Sequence, residues 1–88
     1  MLEHMGAVLL SVRQRKGVSQ RALAKSLGVS AAHISLLETG KRTPSLDYLV
    51  TFSAAADIPV YLLVYASERH DAPAIPALDK MLRRLLNV

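Results

Sequence analysis

The chain has no cysteine among its 88 residues. That absence removes disulfides, thiolate nucleophiles and thiolate zinc sites together. Also missing is an uninterrupted apolar run of the roughly 20 residues needed to cross a bilayer. The most apolar stretch, residues 46–66, carries Asp47 and Asp57 and is broken by Pro59, so it reads as two short buried helices rather than a membrane span. No secretory signal is visible, which makes the cytoplasm the expected compartment. The start, Met-Leu-Glu-His-Met, is read either as native or as a vector-derived leader ahead of Met5, and Leu2, Glu3 and His4 are given no functional weight. Glycine-rich phosphate loops and nucleophile motifs are lacking, and His4, His33 and His70 have no metal-ligand spacing with one another or with acids. The expectation is a protein that is not an enzyme and uses neither metal nor cofactor.

Acidic residues are scarce in one part of the chain. Between residues 11 and 45 there are seven basic side chains (Arg13, Arg15, Lys16, Arg21, Lys25, Lys41, Arg42) and a single acid, Glu38, a local balance of +6. The remainder holds four basic and six acidic residues, a balance of −2, and the two return the overall +4. Positive charge gathered in one segment is what a phosphate-facing surface requires. An ordinary solvated surface is the alternative.

What is present is helical periodicity. Hydrophobic residues make up 51% of the chain, enough for one domain with a core of its own. Ala7, Leu9, Leu10 and Val12 suggest a first helix up to Lys16, closed by Gly17. Ser19 is suited to cap a second helix to about Leu27, stopped by Gly28. Ser30 opens a third, ending at Gly40. Thr43-Pro44-Ser45 breaks the chain, and Ser45 caps a fourth helix over residues 46 to about 56. Pro59 suits the first turn of a fifth element over residues 60–66. The run Val60-Tyr61-Leu62-Leu63-Val64-Tyr65 is β-prone, so a strand is the alternative there. After a polar break over residues 67–73, Ile75, Leu78, Met81, Leu82, Leu85 and Leu86 share one face of an amphipathic sixth helix.

Within this series residues 20–39 stand out. Leu23 and Leu27 face one way, Ala24 beside them admits a close neighbour, and Gly28 sits at a turn that needs a positive φ. Val29 follows, then Ile34 and Leu37 at the spacing of a buried stripe. Two short helices joined by a glycine-bearing turn, with small and branched residues at these intervals, form a helix-turn-helix whose recognition helix covers about residues 31–38.

Residues 8–66, about two-thirds of the chain, resemble the Cro and lambda-repressor type of domain, also called XRE-like. The matching pieces are Arg13-Gln14-Arg15-Lys16-Gly17, Ser19-Gln20, Leu23-Ala24, Leu27-Gly28-Val29-Ser30, Ile34-Ser35 and Glu38-Thr39-Gly40-Lys41-Arg42-Thr43-Pro44-Ser45. The resemblance implies an all-α, five-helix lambda-repressor-like bundle, here extended by the C-terminal amphipathic helix. It implies double-stranded DNA as partner and an operator bound by a dimer. Carried over by position, Gln20 and Arg21 would meet a phosphate at the start of the second helix. Thr39, Lys41 and Arg42 would hold the DNA backbone at the far end of the third. Arg13 and Glu38 match a structural salt bridge, so Glu38 is not read as a catalytic carboxylate.

At about 100° per residue, Ile34 and Leu37 define the buried side of the third helix. Ala32, Ser35, Leu36 and Thr39 then point outward, with Ala31 and His33 on the flanks. In the resembled family, positions matching Ala31, Ala32 and Leu36 make base contacts, often through long polar side chains. This chain departs there: alanine and leucine neither donate nor accept, which leaves contact with thymine methyls. His33 and Ser35 are the polar candidates. The competing readings are a surface histidine without a role, burial of Leu36 against a neighbour, and plain solvated charge for Lys41 and Arg42.

One recognition helix is too small for both affinity and specificity, and two half-sites about 34 Å apart are the usual remedy. The expectation is therefore a homodimer, with Tyr61, Leu78, Met81, Leu82 and Leu85 at the interface. The alternative is a C-terminal helix folded back on its own bundle. Residues 1–66 are read as the DNA-binding domain and 67–88 as linker and dimerisation element. The function expected is a small sequence-specific regulator, with repression as the default. The rival is an antitoxin or adaptor subunit that binds a protein partner and autoregulates its own operon.

Overall fold

Each of three serines begins a helix by the same contact. The Ser19 hydroxyl accepts from the backbone N–H of Ala22, Ser30 from His33 and Ser45 from Tyr48, all at 3.0 Å. Each satisfies one of the N–H groups that a helix start leaves orphaned. The computed structural model describes residues 4–68, and within them lie five helices and no strand: α1 (Met5–Arg15), α2 (Gln20–Leu27), α3 (Ala31–Glu38), α4 (Leu46–Ala56) and α5 (Val60–Glu68). The expected all-α bundle is what forms. The expected sixth helix over residues 75–86 lies outside the described residues.

The helix stops follow from backbone geometry. Gly28 closes α2 at φ 70°, in the left-handed region that glycine enters cheaply, and the Val29 N–H returns to the Ala24 carbonyl at 3.0 Å. Asp57 takes the same conformation at the end of α4, with φ 57°, and is the one described non-glycine residue to do so. The β-prone run at residues 60–65 is helical. Pro59 accepts from the Leu62 N–H at 3.1 Å, and the helical spacing buries Leu63 and Ala66 together. Tertiary packing outweighs strand propensity here. α5 also runs two residues past its expected end at residue 66, because Ser67 is buried with its hydroxyl donating to the Val64 carbonyl at 2.8 Å.

The core is built from Met5, Val8, Leu9 and Val12 of α1, Leu49, Phe52 and Ala56 of α4, Ile58 of the link, and Leu63 and Ala66 of α5. Ala7, part of the apolar signal for α1, faces solvent instead. α3 lies against α1 at Gly6. A Cβ at that position would run into the Leu37 carbonyl oxygen and come within 3.0 Å of the Glu38 carbonyl oxygen. The missing side chain lets the first helix rest on the last turn of the third.

Candidate nucleic-acid interface

The turn between α2 and α3 is capped at both ends, by Gly28 closing α2 and by the Ser30 hydroxyl opening α3. Ile34 and Leu37, each 1% exposed, hold the inner side of α3 in the bundle. Glu38, expected to pair with Arg13, does so in a two-pronged contact. Arg13 donates through Nε to Oε2 at 2.7 Å and through Nη2 to Oε1 at 3.1 Å, and through Nη1 to the Val18 carbonyl at 2.8 Å. The hydrogen bond to Glu38 is the largest influence raising the Arg13 guanidinium above its usual value. Gln20 Nε2 donates to the same Glu38 Oε1 at 2.9 Å. One buried carboxylate therefore joins α1, α2 and α3, and the single acid of the basic segment is neutralised inside the fold.

The residues expected to read bases fall into two groups. Ala32, His33 and Leu36 line one shallow concavity on the outside of α3, together with Val29, Ser30 and Arg42. Ala31 and Ser35 do not line it. Ala31 and Ala32 are exposed, while His33, Ser35 and Leu36 are half-buried. The His33 ring meets Tyr48 edge-on, with centroids 5.8 Å apart, and Tyr48 in turn stacks on Phe52 at 6.1 Å. Tyr48 is half-buried, and desolvation first, then the Glu38 charge, pushes its hydroxyl up to about 12. His33 Nδ1 stands 2.8 Å from Arg42 Nη1.

Of the residues expected at phosphates, Arg42 lines that concavity, whereas Gln20, Arg21, Thr39 and Lys41 do not. Gln20 and Arg21 stand at the start of α2, where Arg21 is exposed and Gln20 keeps one amide proton beyond the one given to Glu38. After α3 the backbone folds back, and the N–H groups of Lys41 and Arg42 both donate to the Leu36 carbonyl, at 3.0 and 3.1 Å. Both side chains are exposed. The Thr39 hydroxyl donates to the Ser35 carbonyl at 2.8 Å, so its proton is engaged within α3. Of the expected dimer residues, Tyr61 is 70% exposed, while Leu78, Met81, Leu82 and Leu85 lie outside the described residues.

Sequence reasoning missed Tyr48 and the His33–Arg42 contact. The i, i+4 spacing of Tyr48 and Phe52 was the available signal for an aromatic ridge, but only the fold brings His33 to it. Among the described residues no group of three or more His, Cys, Asp or Glu side chains could hold a metal ion, and no single helix is long and apolar enough to cross a membrane.

Comparison with known proteins agrees with this geometry. Residues 9–63 match the family described as HTH_3, Helix-turn-helix. An uncharacterized HTH-type transcriptional regulator, y4dL of Sinorhizobium fredii, is 35% identical over 60 residues, covering 68% of this chain and 31% of that protein. The chain thus spans about a third of the length of that curated relative. A crystal structure of the clp gene regulator ClgR from Corynebacterium glutamicum superposes with a TM-score of 0.73 at 33% identity, covering 80% of this chain and 91% of the other. A second crystal structure of ClgR gives 0.73 at 32% identity, covering 96% and 87%.

Proposed function

Because the chain belongs to the helix-turn-helix family of DNA-binding transcriptional regulators, we propose that it is a repressor that binds a pseudo-palindromic operator as a homodimer in the cytoplasm. The observation that carries this reading is the placement of Glu38. It is the only acid between residues 11 and 45, and it is buried on Arg13 and Gln20. The surface around α3 therefore offers a phosphate backbone cations unopposed by any carboxylate of that segment. In this reading Gln20, Arg21, Thr39 and Lys41 clamp the backbone. Thr39 is the weakest member, because its one hydroxyl proton must leave the Ser35 carbonyl to reach a phosphate. Ala31, Ala32 and Leu36 meet thymine methyls, and Ser35 adds a polar contact. Residues 1–66 form the DNA-binding unit, and Tyr61 with Leu78, Met81, Leu82 and Leu85 forms the contact between copies.

A gel shift of the full chain against its own upstream DNA, repeated over a range of salt, tests the reading. Clamping by about four to six phosphates gives a slope of roughly −4 to −5 in log affinity against log salt for duplex DNA. A flat salt dependence, or no shift at all, would refute it. Sedimentation of Leu82→Asp tests the interface: that variant should be monomeric where the parent is dimeric.

One observation favours a second reading. Leu46 is 69% exposed and Val50 50%, one turn apart on α4, and Tyr61 and Tyr65 are exposed on α5. Exposed apolar side chains of this kind suit an antitoxin or adaptor subunit with a protein partner, and DNA binding would then serve autoregulation. Co-purification of one stoichiometric partner from the native host would favour it over the simple repressor.

A further inference from the structure

Arg42 was expected to hold phosphate, yet its guanidinium is engaged on α3. Its backbone N–H is tied to the Leu36 carbonyl at 3.1 Å, while its guanidinium reaches His33 at 2.8 Å. His33 lies three residues, about 4.5 Å, nearer the N-terminus of α3 than Leu36. The side chain therefore runs along the outer side of α3 towards its beginning, and it shares one concavity with Ala32 and Leu36. A recognition helix in the major groove contacts base edges with its N-terminal residues, and His33 is the third residue of α3.

The chemistry of the pair sharpens the point. A guanidinium has five N–H groups and no acceptor, so His33 Nδ1 must accept and the imidazole proton sits on Nε2. One guanidinium proton is spent on His33, and the rest remain for a partner. The two-pronged approach of arginine to guanine O6 and N7 is the commonest specific contact in the major groove. It also answers the shortage on α3, where Ala31, Ala32 and Leu36 have no hydrogen-bonding group. The ring of His33 is itself fixed by its edge contact with Tyr48, which rests on Phe52 in the core. The guanidinium is thus braced, through two aromatic rings, on the interior of the domain.

We infer that Arg42 is a specificity-determining residue that reads a guanine edge in the major groove, and that His33 is the residue that positions it. The inference rests on the DNA-binding reading above.

The test begins with selection of the preferred duplex by the full wild-type chain from a randomised pool. Affinities are then measured for that duplex and for a version with each G·C pair replaced in turn. Arg42→Ala should lose between about 5-fold and 150-fold on the preferred duplex and should no longer distinguish one particular G·C position. Arg42→Lys should recover only part of the discrimination at that position, since an ammonium can still donate to guanine but lacks the fork. His33→Phe keeps a ring against Tyr48 and removes the acceptor, so it should relax the same position, by a smaller factor, and no other. Thermal melting of each variant checks that the domain stays folded.

Equal weakening of every duplex by Arg42→Ala, restored by Arg42→Lys, would return Arg42 to phosphate binding and overturn the inference. Relaxation by His33→Phe at other positions, with the Arg42 position intact, would overturn the role of His33. A wild-type chain that binds duplexes without preferring any guanine overturns the inference alone, whereas one that binds no duplex overturns the DNA-binding reading itself.

Discussion

Replacing Gly6 with alanine should destabilise the domain although it adds a better helix former. Away from any neighbour, alanine for glycine inside a helix gains about 1 kcal/mol. At Gly6 the new methyl would run into the Leu37 carbonyl oxygen and stand 3.0 and 3.2 Å from the carbonyl oxygen and carbon of Glu38. All three atoms belong to the backbone of the last turn of α3, so no side-chain rotation relieves the clash. Overfilling a packed contact costs about 1–3 kcal/mol and occasionally more. Here relief requires lifting α1 from α3, which loosens buried Met5 and Val8 and stretches the Arg13–Glu38 contact. We take the upper part of that range, for a net loss of roughly 1–2 kcal/mol. At about 4–8 °C per kcal/mol for a domain of this size, the melting temperature should fall by roughly 4–16 °C. Thermal melting followed by circular dichroism reads this directly. Ala7→Gly, one position along and exposed, supplies the control, since it should show only the propensity loss of about 1 kcal/mol. A Gly6→Ala variant that melts above the parent would refute the close approach of the two helices.

Glu38→Ala should cost about 3–5 kcal/mol, because it strands the Arg13 guanidinium in a part-buried site; Glu38→Gln keeps an acceptor and should cost clearly less, as urea denaturation will reveal by unequal midpoints. Asp57→Gly should stabilise the domain by several tenths to about 1 kcal/mol, since it relieves a left-handed backbone and removes a negative charge from the C-terminus of α4; a lower denaturation midpoint would contradict that account. Tyr48 holds its proton more tightly in the folded state, to about 12 against an ordinary 10.0, so its contribution is intact below pH 10 and is lost as pH rises from 10 towards 12. Melting curves of the parent and Tyr48→Phe should therefore diverge in pH dependence across that window alone, and parallel curves there would exclude Tyr48 as the source.

Local chemistry made much of this molecule legible from its residues. Ser19, Ser30 and Ser45 each announce a helix start and each makes the expected cap. Ile34 and Leu37 identify the inner side of α3 by spacing alone, and both are buried. Where the signal was local but ambiguous, as in the β-prone run at residues 60–65, packing of Leu63 and Ala66 decided for helix. The contacts that were not legible join residues far apart in the chain. Nothing in the local sequence distinguishes Gly6, and its meaning lies in α3, more than 30 residues on. Gln20 suits a phosphate by position, yet it gives one proton to a carboxylate 18 residues away. His33 and Arg42, nine residues apart, meet only because the turn after Gly40 doubles back.

The two-sidedness of α3 bears on how such a chain can change over generations. Ile34, Leu37 and Glu38 carry the packing and the buried ion pair, whereas Ala31 and Ala32 stand exposed on the other side. Exposed helical positions accept most side chains with effects within about 0.5 kcal/mol. If those alanines read bases as proposed above, single codon changes there explore new DNA targets without passing through an unfolded ancestor. The scaffold is inherited intact while its vocabulary drifts.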